Sequence, residues 1–171
     1  MSVYLRELER EDLPRIAAWR ASRELYGWLA GDYRPATLAQ EEEWFASYQS
    51  KRESDRRFAI CLESGEHIGN AYLLGIDPAA RSAEFHIFIA EAAHRGKGEG
   101  ERAARLAIER AFGELGLATV RLGVLAENAP ARALYEKLGF RAGGSTRIAK
   151  DGAGRELLQM TLAREDYRGA R

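Results

Sequence analysis

The segment from His94 to Phe112, HRGKGEGERAARLAIERAF, constrains the fold more than any other part of the chain. It places three glycines within five positions and continues without a break into a helical pattern. The apolar residues of that pattern recur at spacings of three and four, so they share one buried helix face. They are Ala104, Ala107, Ile108, Ala111 and Leu115. Because residues 81–90 alternate like a strand, the sequence predicts a strand, a glycine-rich loop and a helix in succession.

Alternating hydrophobicity predicts strands on both sides of this unit. In the middle of the chain, the turn sequences ESGE and DPAA separate three of them, which is typical of an antiparallel meander. A hairpin that turns at Lys150-Asp151-Gly152 follows near the end of the chain. The predicted strands cover residues 2–8, 56–63, 67–76, 81–90 and 118–125, and the two arms of the hairpin.

Residues that start and stop helices frame the remaining segments. Thr37 and Gln40 have the spacing of a capping box, and Asn128 and Gly139 suit the N-cap and C-cap of a later helix. The predicted helices cover residues 11–22, 23–30, 37–50 and 128–139, besides the helix that follows the glycines. About seven strands and these helices predict an α/β (α+β) fold, in which a mixed, mostly antiparallel sheet carries helices on both faces.

Composition and charge exclude several classes of protein. The 171 residues include 26 basic and 26 acidic side chains, so no net charge attracts nucleic acid or a membrane surface. One cysteine and three scattered histidines provide neither an internal disulfide nor a metal site. The N-terminus lacks an apolar signal segment, and no window has 18 apolar residues. We therefore expect one cytoplasmic domain over residues 1–171, with no metal, nucleic acid or membrane partner.

The glycine-rich loop predicts an anion-binding site. Unpaired N–H groups and a partial positive charge at a helix start attract phosphate, and glycine lets the phosphate approach the backbone. Arg95 and Lys97 add positive charge. The chain has no G-x-x-x-x-G-K-[ST], which excludes a P-loop nucleotide site, and its G-x-G-x-G spacing fits a dinucleotide site poorly. The third phosphate-binding pattern that we considered, R-x-x-G-x-G, matches the loop from Arg95 to Gly100.

A second segment, NAPARALYEKLGF from Asn128 to Phe140, helps to identify the kind of anion-binding site. Asn128, Ala131 and Tyr135 are three and four residues apart, on one helix face. Together with the glycine-rich loop, this segment resembles the GCN5-related N-acetyltransferase (GNAT) superfamily. The resemblance covers roughly residues 1–165 and is strongest from 83 to 140. LRELEREDL, AEFHIFI and KDGAGRELLQMTLAREDY further resemble the branch that contains ribosomal-protein N-terminal and spermidine acetyltransferases.

The resemblance implies acetyl-CoA as the co-substrate, bound where the sheet splays between the strands near 83–90 and 118–125. In this superfamily the R-x-x-G-x-G loop binds the pyrophosphate, and the helix that follows the next strand holds the pantetheine. The implied contact residues are Ile87, Phe88 and Ile89 of the strand, Arg95, Gly96, Lys97, Gly98, Glu99, Gly100 and Glu101 of the loop, and Asn128, Ala131, Tyr135 and Lys137 of the helix. Since an inward Glu99 carboxylate would oppose the pyrophosphate, we expect it to point outward.

The implied chemistry assigns roles to a few groups. An acceptor ammonium has a pKa of about 10, so a base must take a proton before the amine attacks the thioester. Glu84 and His86 share one strand face, and either of them, or a water chain, is a candidate base. By resemblance, backbone N–H groups of residues 87–89 stabilise the oxyanion, and Tyr135 donates the proton that the leaving CoA thiolate needs.

The sequence leaves the acceptor amine open. Through the resemblance to the branch we slightly favour a protein N-terminus over a polyamine, an amino sugar or an aminoglycoside. A non-catalytic acyl-CoA-binding or regulatory module is the alternative function, and a homodimer is a candidate assembly. The acidic run from Glu41 to Glu43 is interpreted as a solvated helix face.

Overall fold

The computed structural model describes residues 2–169. Its strands are β1 (Val3–Glu7), β2 (Arg56–Leu62), β3 (His67–Asp77), β4 (Ser82–Ile89), β5 (Thr119–Leu125), β6 (Arg141–Lys150) and β7 (Ala153–Ala163). Its helices are α1 (Leu13–Arg20), α2 (Arg23–Trp28), α3 (Leu38–Gln49), α4 (Glu99–Gly113) and α5 (Ala129–Leu138), with short 3-10 turns at Arg10–Asp12, Ala92–His94 and Arg164–Asp166. Among the helices of this described part, none is long and apolar enough to cross a membrane.

The strands form one mixed sheet in the order β1-β2-β3-β4-β5-β7-β6. Neighbouring strands are antiparallel except β4 and β5, which run parallel and are connected through α4. A parallel pair needs such a crossover, and the amphipathic helix after the glycines provides it. The predicted mixed, mostly antiparallel sheet is confirmed.

Strands β4 and β5 separate soon after they begin. They pair only over residues 82–84 and 119–121. Beyond residue 84, β4 keeps its antiparallel partner β3 as far as Ile89 opposite Gly69, but it has no partner on the β5 side. The predicted splay between these strands is therefore confirmed. It leaves the backbone of residues 85–89 at a wedge-shaped gap.

The sheet buries an apolar cluster on each face. Alternation along β2 shows the division, because Phe58 and Ile60 pack with α4 and α5 whereas Ala59 packs with α1. The three alanines and the isoleucine of the predicted α4 stripe are fully buried. Leu115, the last residue of that stripe, lies beyond the end of the helix and is half-buried. The prediction of helices on both faces is confirmed.

The predicted helix caps are present. Thr37 Oγ1 accepts a hydrogen bond from the Gln40 N–H, and the Gln40 side chain accepts one from the Thr37 N–H, so the capping box of α3 is complete. Asn128 Oδ1 accepts from the Ala131 N–H at the start of α5. Gly139 ends α5 with φ +106°, in the left-handed region that favours glycine. Helix α5 thus begins and ends at the predicted residues.

Candidate active site

The gap between β4 and β5 opens into one continuous cavity of about 1060 Å³. The glycine-rich loop, residues 94–101, and α5 line one half, which we call the loop end. Helices α1, α2 and α3 and strands β2, β3 and β4 line the other half, which we call the aromatic end. Its aromatic walls are formed by Trp19, Tyr26, Trp28, Trp44 and Tyr72. A cavity of this size has room for an extended ligand.

Glycines shape the loop end. Gly96 has φ +73° and Gly98 has φ +87°, backbone conformations that other residues avoid, and both glycines line the cavity. Gly98 is also the N-cap of α4, so the first N–H groups of the helix lie at the cavity wall. A Cβ at Gly100 would make only an ordinary contact with Ile89, at 3.5 Å. The loop therefore presents backbone N–H groups and the positive end of a helix to an anion.

The Arg95 guanidinium is bound by the protein itself. It donates to the carbonyl oxygens of Ile89 at 3.0 Å and Ala90 at 2.7 Å, and it contacts Glu24 of α2 at 2.6 Å. These contacts hold the loop against the end of β4. Arg95 lines the cavity, whereas Lys97 is exposed outside it. Arg95 thus fixes the shape of the loop through its hydrogen bonds, and it also places a positive charge at the cavity wall.

Glu99 does not turn toward the cavity, as expected, but it is buried in the protein instead of pointing outward to solvent. Glu99 is the first residue of α4 and is 1% exposed, and its carboxylate lies 3.9 Å from His94 Nδ1. Gly98 and Gly100 occupy the cavity side of the loop, so the residue between them turns under it. Because the Glu99 side chain does not line the cavity, it cannot make the ligand contact implied by the resemblance.

Two contacts connect α5 to its surroundings at the cavity. Glu101 of α4 accepts a hydrogen bond from Lys137 at 2.7 Å, and this bond lowers the pKa of Glu101. Asn128, the N-cap of α5, donates through Nδ2 to the Trp28 carbonyl oxygen at 3.1 Å. All four residues line the cavity. Lys137 and Asn128 therefore already have protein partners at the positions where the resemblance implies CoA contacts.

Tyr135 lies on the cavity wall, one turn after Ala131 on the same face of α5. It is 7% exposed, and burial raises the pKa of its hydroxyl to about 12. The phenol consequently remains protonated in the neutral pH range. Residues 87–89 line the β4 side of the same cavity and are partly buried. The structure thus brings the proposed proton donor and the unpaired backbone of β4 to one space.

Glu84 and His86 share one face of β4, but only His86 lines the cavity. The Glu84 side chain is 55% exposed, and its carboxylate lies 2.8 Å from His86 Nε2. A catalytic base is expected to contact the ligand directly. The structure does not place Glu84 in such contact, because its side chain does not line the cavity. Strand alternation showed that the two side chains share a face, but it could not show which one is nearer the gap.

Sequence reasoning missed the acidic group of the aromatic end. Glu41, interpreted as part of a solvated face, is 1% exposed and lines the cavity, whereas the next two glutamates are exposed. Arg20 lies 3.0 Å from Glu41 Oε1, at an angle that gives this oxygen no hydrogen bond within residues 2–169. The spacing contained a signal, because Glu41, Trp44 and Tyr48 recur at i, i+3 and i+7 on one face of α3.

A lip formed by residues 23–33 borders the aromatic end. Lys150, buried at the tip of the β6–β7 hairpin, donates to the carbonyl oxygens of Tyr26 and Gly31, both at 2.8 Å. The contacts of Asn128 and Arg95 described above connect the same segment to α5 and to the glycine-rich loop. The hairpin therefore supports the lip. Residues 141–156 do not themselves line the cavity.

A sequence profile of the acetyltransferase (GNAT) domain matches residues 2–141. The match includes both the glycine-rich loop and α5. The chain belongs to the GNAT family. The resemblance inferred from the two sequence segments is thereby confirmed.

Individual GNAT proteins match the chain over nearly its whole length. Spermidine N(1)-acetyltransferase of Escherichia coli K12 is 33% identical over 170 residues, which cover 97% of this chain and 88% of the relative. Aminoglycoside N(6′)-acetyltransferase type 1 of Klebsiella pneumoniae is 28% identical over 98% of this chain and 87% of its own. The crystal structure of Vibrio cholerae spermidine N-acetyltransferase in complex with CoA and spermine has a TM-score of 0.88 at 28% identity, over 96% of this chain and 97% of that one.

The chain is accordingly an acetyl-CoA-dependent N-acetyltransferase. Its loop end fits CoA, because helix N–H groups and left-handed glycines form a cradle for an anion. Its gap brings the unpaired backbone of β4 into the same cavity. Within residues 2–169, no cluster of His, Cys, Asp and Glu side chains could hold a metal ion.

Replacing Lys150 by methionine should loosen the lip. The variant leaves the carbonyl oxygens of Tyr26 and Gly31 without their buried donor, which should lower the free energy of unfolding by about 1–3 kcal/mol. Hydrogen exchange should become faster for amides of residues 23–33 and remain unchanged in β4. Lys51→Met, at an exposed lysine, is the control and should change neither quantity. Unchanged exchange in the lip would show that Lys150 does not hold it.

Proposed function

We propose that the chain transfers the acetyl group to a primary amine of a polyamine of the spermidine type. Two of the relatives described above are spermidine N-acetyltransferases, and one of them was crystallised with spermine. The feature of this molecule that supports the proposal most directly is the buried Glu41 carboxylate at the aromatic end.

Glu41 provides what an aliphatic ammonium needs. Its carboxylate lines the cavity, and Oε1 has no hydrogen-bond donor within the described residues. Arg20 lies on one side of the carboxylate, which leaves further lone pairs for a ligand. The rings of Trp44 and Tyr72 border the same space and suit both methylene groups and an ammonium. Because a buried carboxylate without its full set of donors is unfavourable, a cationic acceptor would stabilise it.

Other acceptors receive less support. The slight preference for a protein N-terminus is not supported, because none of the relatives described above is named as a protein N-terminal acetyltransferase. Aminoglycosides are the second candidate, since an aminoglycoside N(6′)-acetyltransferase matches almost the whole chain. A non-catalytic acyl-CoA-binding module is not supported either, because these relatives are named as enzymes.

The cavity residues provide the groups that the transfer needs. In our proposal Glu41 and the aromatic walls hold the acceptor, and its deprotonated nitrogen forms a C–N bond with the acetyl carbon. Of the N–H groups of residues 87–89, those that do not pair with β3 face the oxygen that becomes negative. The C–S bond breaks, Tyr135 gives its proton to the sulfur, and the proton that the attacking nitrogen releases as the amide forms returns to the Tyr135 oxygen.

We assign the removal of the ammonium proton to His86, with Glu84 as its support. His86 lines the cavity, and the contact of its Nε2 with Glu84 leaves Nδ1 as the nitrogen that can accept a proton. Replacing His86 by glutamine should lower kcat by about tenfold or more while KM for acetyl-CoA stays the same. An unchanged kcat would indicate that a water chain, and not His86, removes the proton.

Tyr135→Phe should lower kcat by about 100-fold, because general acid catalysis typically contributes at least that much.

The raised pKa of Tyr135 also determines how wild-type kcat depends on pH. A hydroxyl with a pKa of about 12 keeps its proton below that pH, so wild-type kcat should not decline from loss of this proton up to about pH 10. An ordinary tyrosine would already be half ionised there. Steady-state kinetics between about pH 7 and pH 10 measures both effects.

Tyr167→Phe is the matched control for Tyr135. Burial also raises the pKa of Tyr167 to about 12, but its hydroxyl donates to Glu109 and does not line the cavity. This variant should keep the wild-type kcat. A wild-type kcat in Tyr135→Phe as well would remove Tyr135 from the proton-donor role.

A panel of acceptors tests the substrate class. Thiol release from acetyl-CoA is measured with spermidine, an aminoglycoside and a peptide with a free N-terminus, and the proposal predicts the highest kcat/KM for spermidine.

Glu41→Gln should raise KM for the amine by about 10- to 100-fold, since a hydrogen bond to a charged group is lost, and should leave KM for acetyl-CoA unchanged. Glu43→Gln, at an exposed position of the same helix, is the control.

Two results would contradict the proposal. A peptide or an aminoglycoside with the highest kcat/KM would replace the polyamine as the acceptor. An unchanged amine KM in Glu41→Gln would show that this carboxylate does not bind the acceptor.

A further inference from the structure

A row of buried polar side chains leads from the 3-10 turn before α1 to the aromatic end of the cavity. His67 lies between Asp12 and Asn70, with Nδ1 3.2 Å from an Asp12 oxygen and Nε2 2.7 Å from Asn70 Oδ1. The Asn70 amide nitrogen donates to the Tyr72 hydroxyl at 2.9 Å. The first three side chains of the row are buried in the protein, and only Tyr72 lines the cavity.

The end of the row far from the cavity is firmly held. Burial alone would raise the pKa of Asp12, but hydrogen bonds from Arg6 and contacts with His67 and the Glu9 N–H outweigh it. Together they hold the pKa of Asp12 well below its ordinary value. Asp12 is therefore a fixed carboxylate at neutral pH.

A backbone carbonyl determines the direction of the hydrogen bonds in the row. His67 Nε2 lies 2.9 Å from the Gly69 carbonyl oxygen, which can only accept, so Nε2 carries a hydrogen. The Asn70 atom that faces Nε2 must then be its oxygen, which turns the amide nitrogen toward Tyr72. Because this nitrogen can only donate, the Tyr72 hydroxyl oxygen accepts from it. One side of that oxygen is thus occupied by Asn70.

Tyr72 brings this ordered hydroxyl close to the chemistry of the cavity. It pairs across the sheet with His86, one residue before Ile87, and its ring lies 4.7 Å from the Arg57 guanidinium. Burial raises the pKa of Tyr72 to about 12, and the negative charge of Glu41 adds to the rise. The phenol is therefore protonated, and the Glu41 carboxylate lines the same cavity.

A buried polar row costs more free energy than an apolar core of the same volume, which indicates a role beyond stability. We infer that Tyr72 binds the acceptor amine through its hydroxyl, and that Asn70, His67 and Asp12 are positioning residues that fix the direction of this hydroxyl. Its free lone pair accepts an N–H of the acceptor, and its hydrogen is available to the Glu41 carboxylate. The inference rests on transfer to an amine, but not on the amine being a polyamine.

Tyr72→Phe removes the hydroxyl and keeps the ring. The inference predicts a rise of about tenfold in KM for the acceptor with the highest kcat/KM in the panel, and no change in KM for acetyl-CoA. Tyr48→Phe is the matched control, because the Tyr48 hydroxyl is also buried and hydrogen-bonded, to the Arg57 N–H and Glu7, but does not line the cavity. An unchanged amine KM in Tyr72→Phe would overturn the inference.

A double-mutant cycle separates positioning from stability. Asn70→Leu breaks the row and should lower kcat/KM for the amine by about fivefold in the wild-type background. In Tyr72→Phe it should cause no further loss, because no hydroxyl is left to orient. Equal losses in both backgrounds would overturn the positioning role. If Asn70→Leu fails to fold, Asn70→Ser, which is too short to reach Tyr72, replaces it in the cycle with the same expected result.

The cycle also distinguishes this inference from the proposed function. It uses whichever amine reacts best, so spermidine as a poor substrate with an intact coupling would contradict only the proposed acceptor. Spermidine as the best substrate, with no effect of Tyr72→Phe on its KM, would contradict only the role of Tyr72.

Discussion

The short pairing of β4 with β5 determines the rest of the structure. The two strands part after residues 82–84 and 119–121, so the following backbone of β4 has no partner on one side. Unpaired backbone groups are unfavourable in a protein interior unless a ligand or water satisfies them. At the same gap α4 begins, and Gly96 and Gly98 adopt left-handed conformations beside it. One irregularity in the sheet thus supplies both the unpaired strand and the anion-binding helix start of a single cavity.

The two ends of this cavity become polar in different ways. At the loop end the charged side chains are already paired, Arg95 with Glu24 and Lys137 with Glu101, so the backbone N–H groups remain for the donor. At the aromatic end a buried carboxylate, Glu41, and a row of hydrogen-bonded side chains carry the polarity. A backbone site suits a donor of fixed shape, whereas a side-chain site can be matched to one acceptor. This division explains why the sequence indicated the donor much more clearly than the acceptor.

The fold and the donor half could be predicted because their signals are local. Asn128 and Gly139 act through one hydrogen bond and one backbone angle, and strand alternation depends only on neighbouring residues. The remaining features depend on packing between distant segments. Nothing in a run of three glutamates shows that Glu41 turns inward, although its spacing from the α3 aromatics was a signal that went unused. Glu99 was misplaced because its direction depends on which side of the loop faces the cavity, and Asp12 reaches its partners only in the folded sheet.

The gap between β4 and β5 joins donor and acceptor in one cavity, and the crystal structure of a bisubstrate complex would show whether both ligands occupy it. The complex would contain CoA whose sulfur is joined through an S–CH2–CO group to a nitrogen of spermidine. We predict the pyrophosphate at the N–H groups of residues 96–100, the acetyl oxygen beside residues 87–89, and the linked nitrogen within hydrogen-bond distance of Tyr72 and Glu41. A linked nitrogen that leaves the cavity past Trp28 without approaching either side chain would show that the acceptor does not bind at the aromatic end.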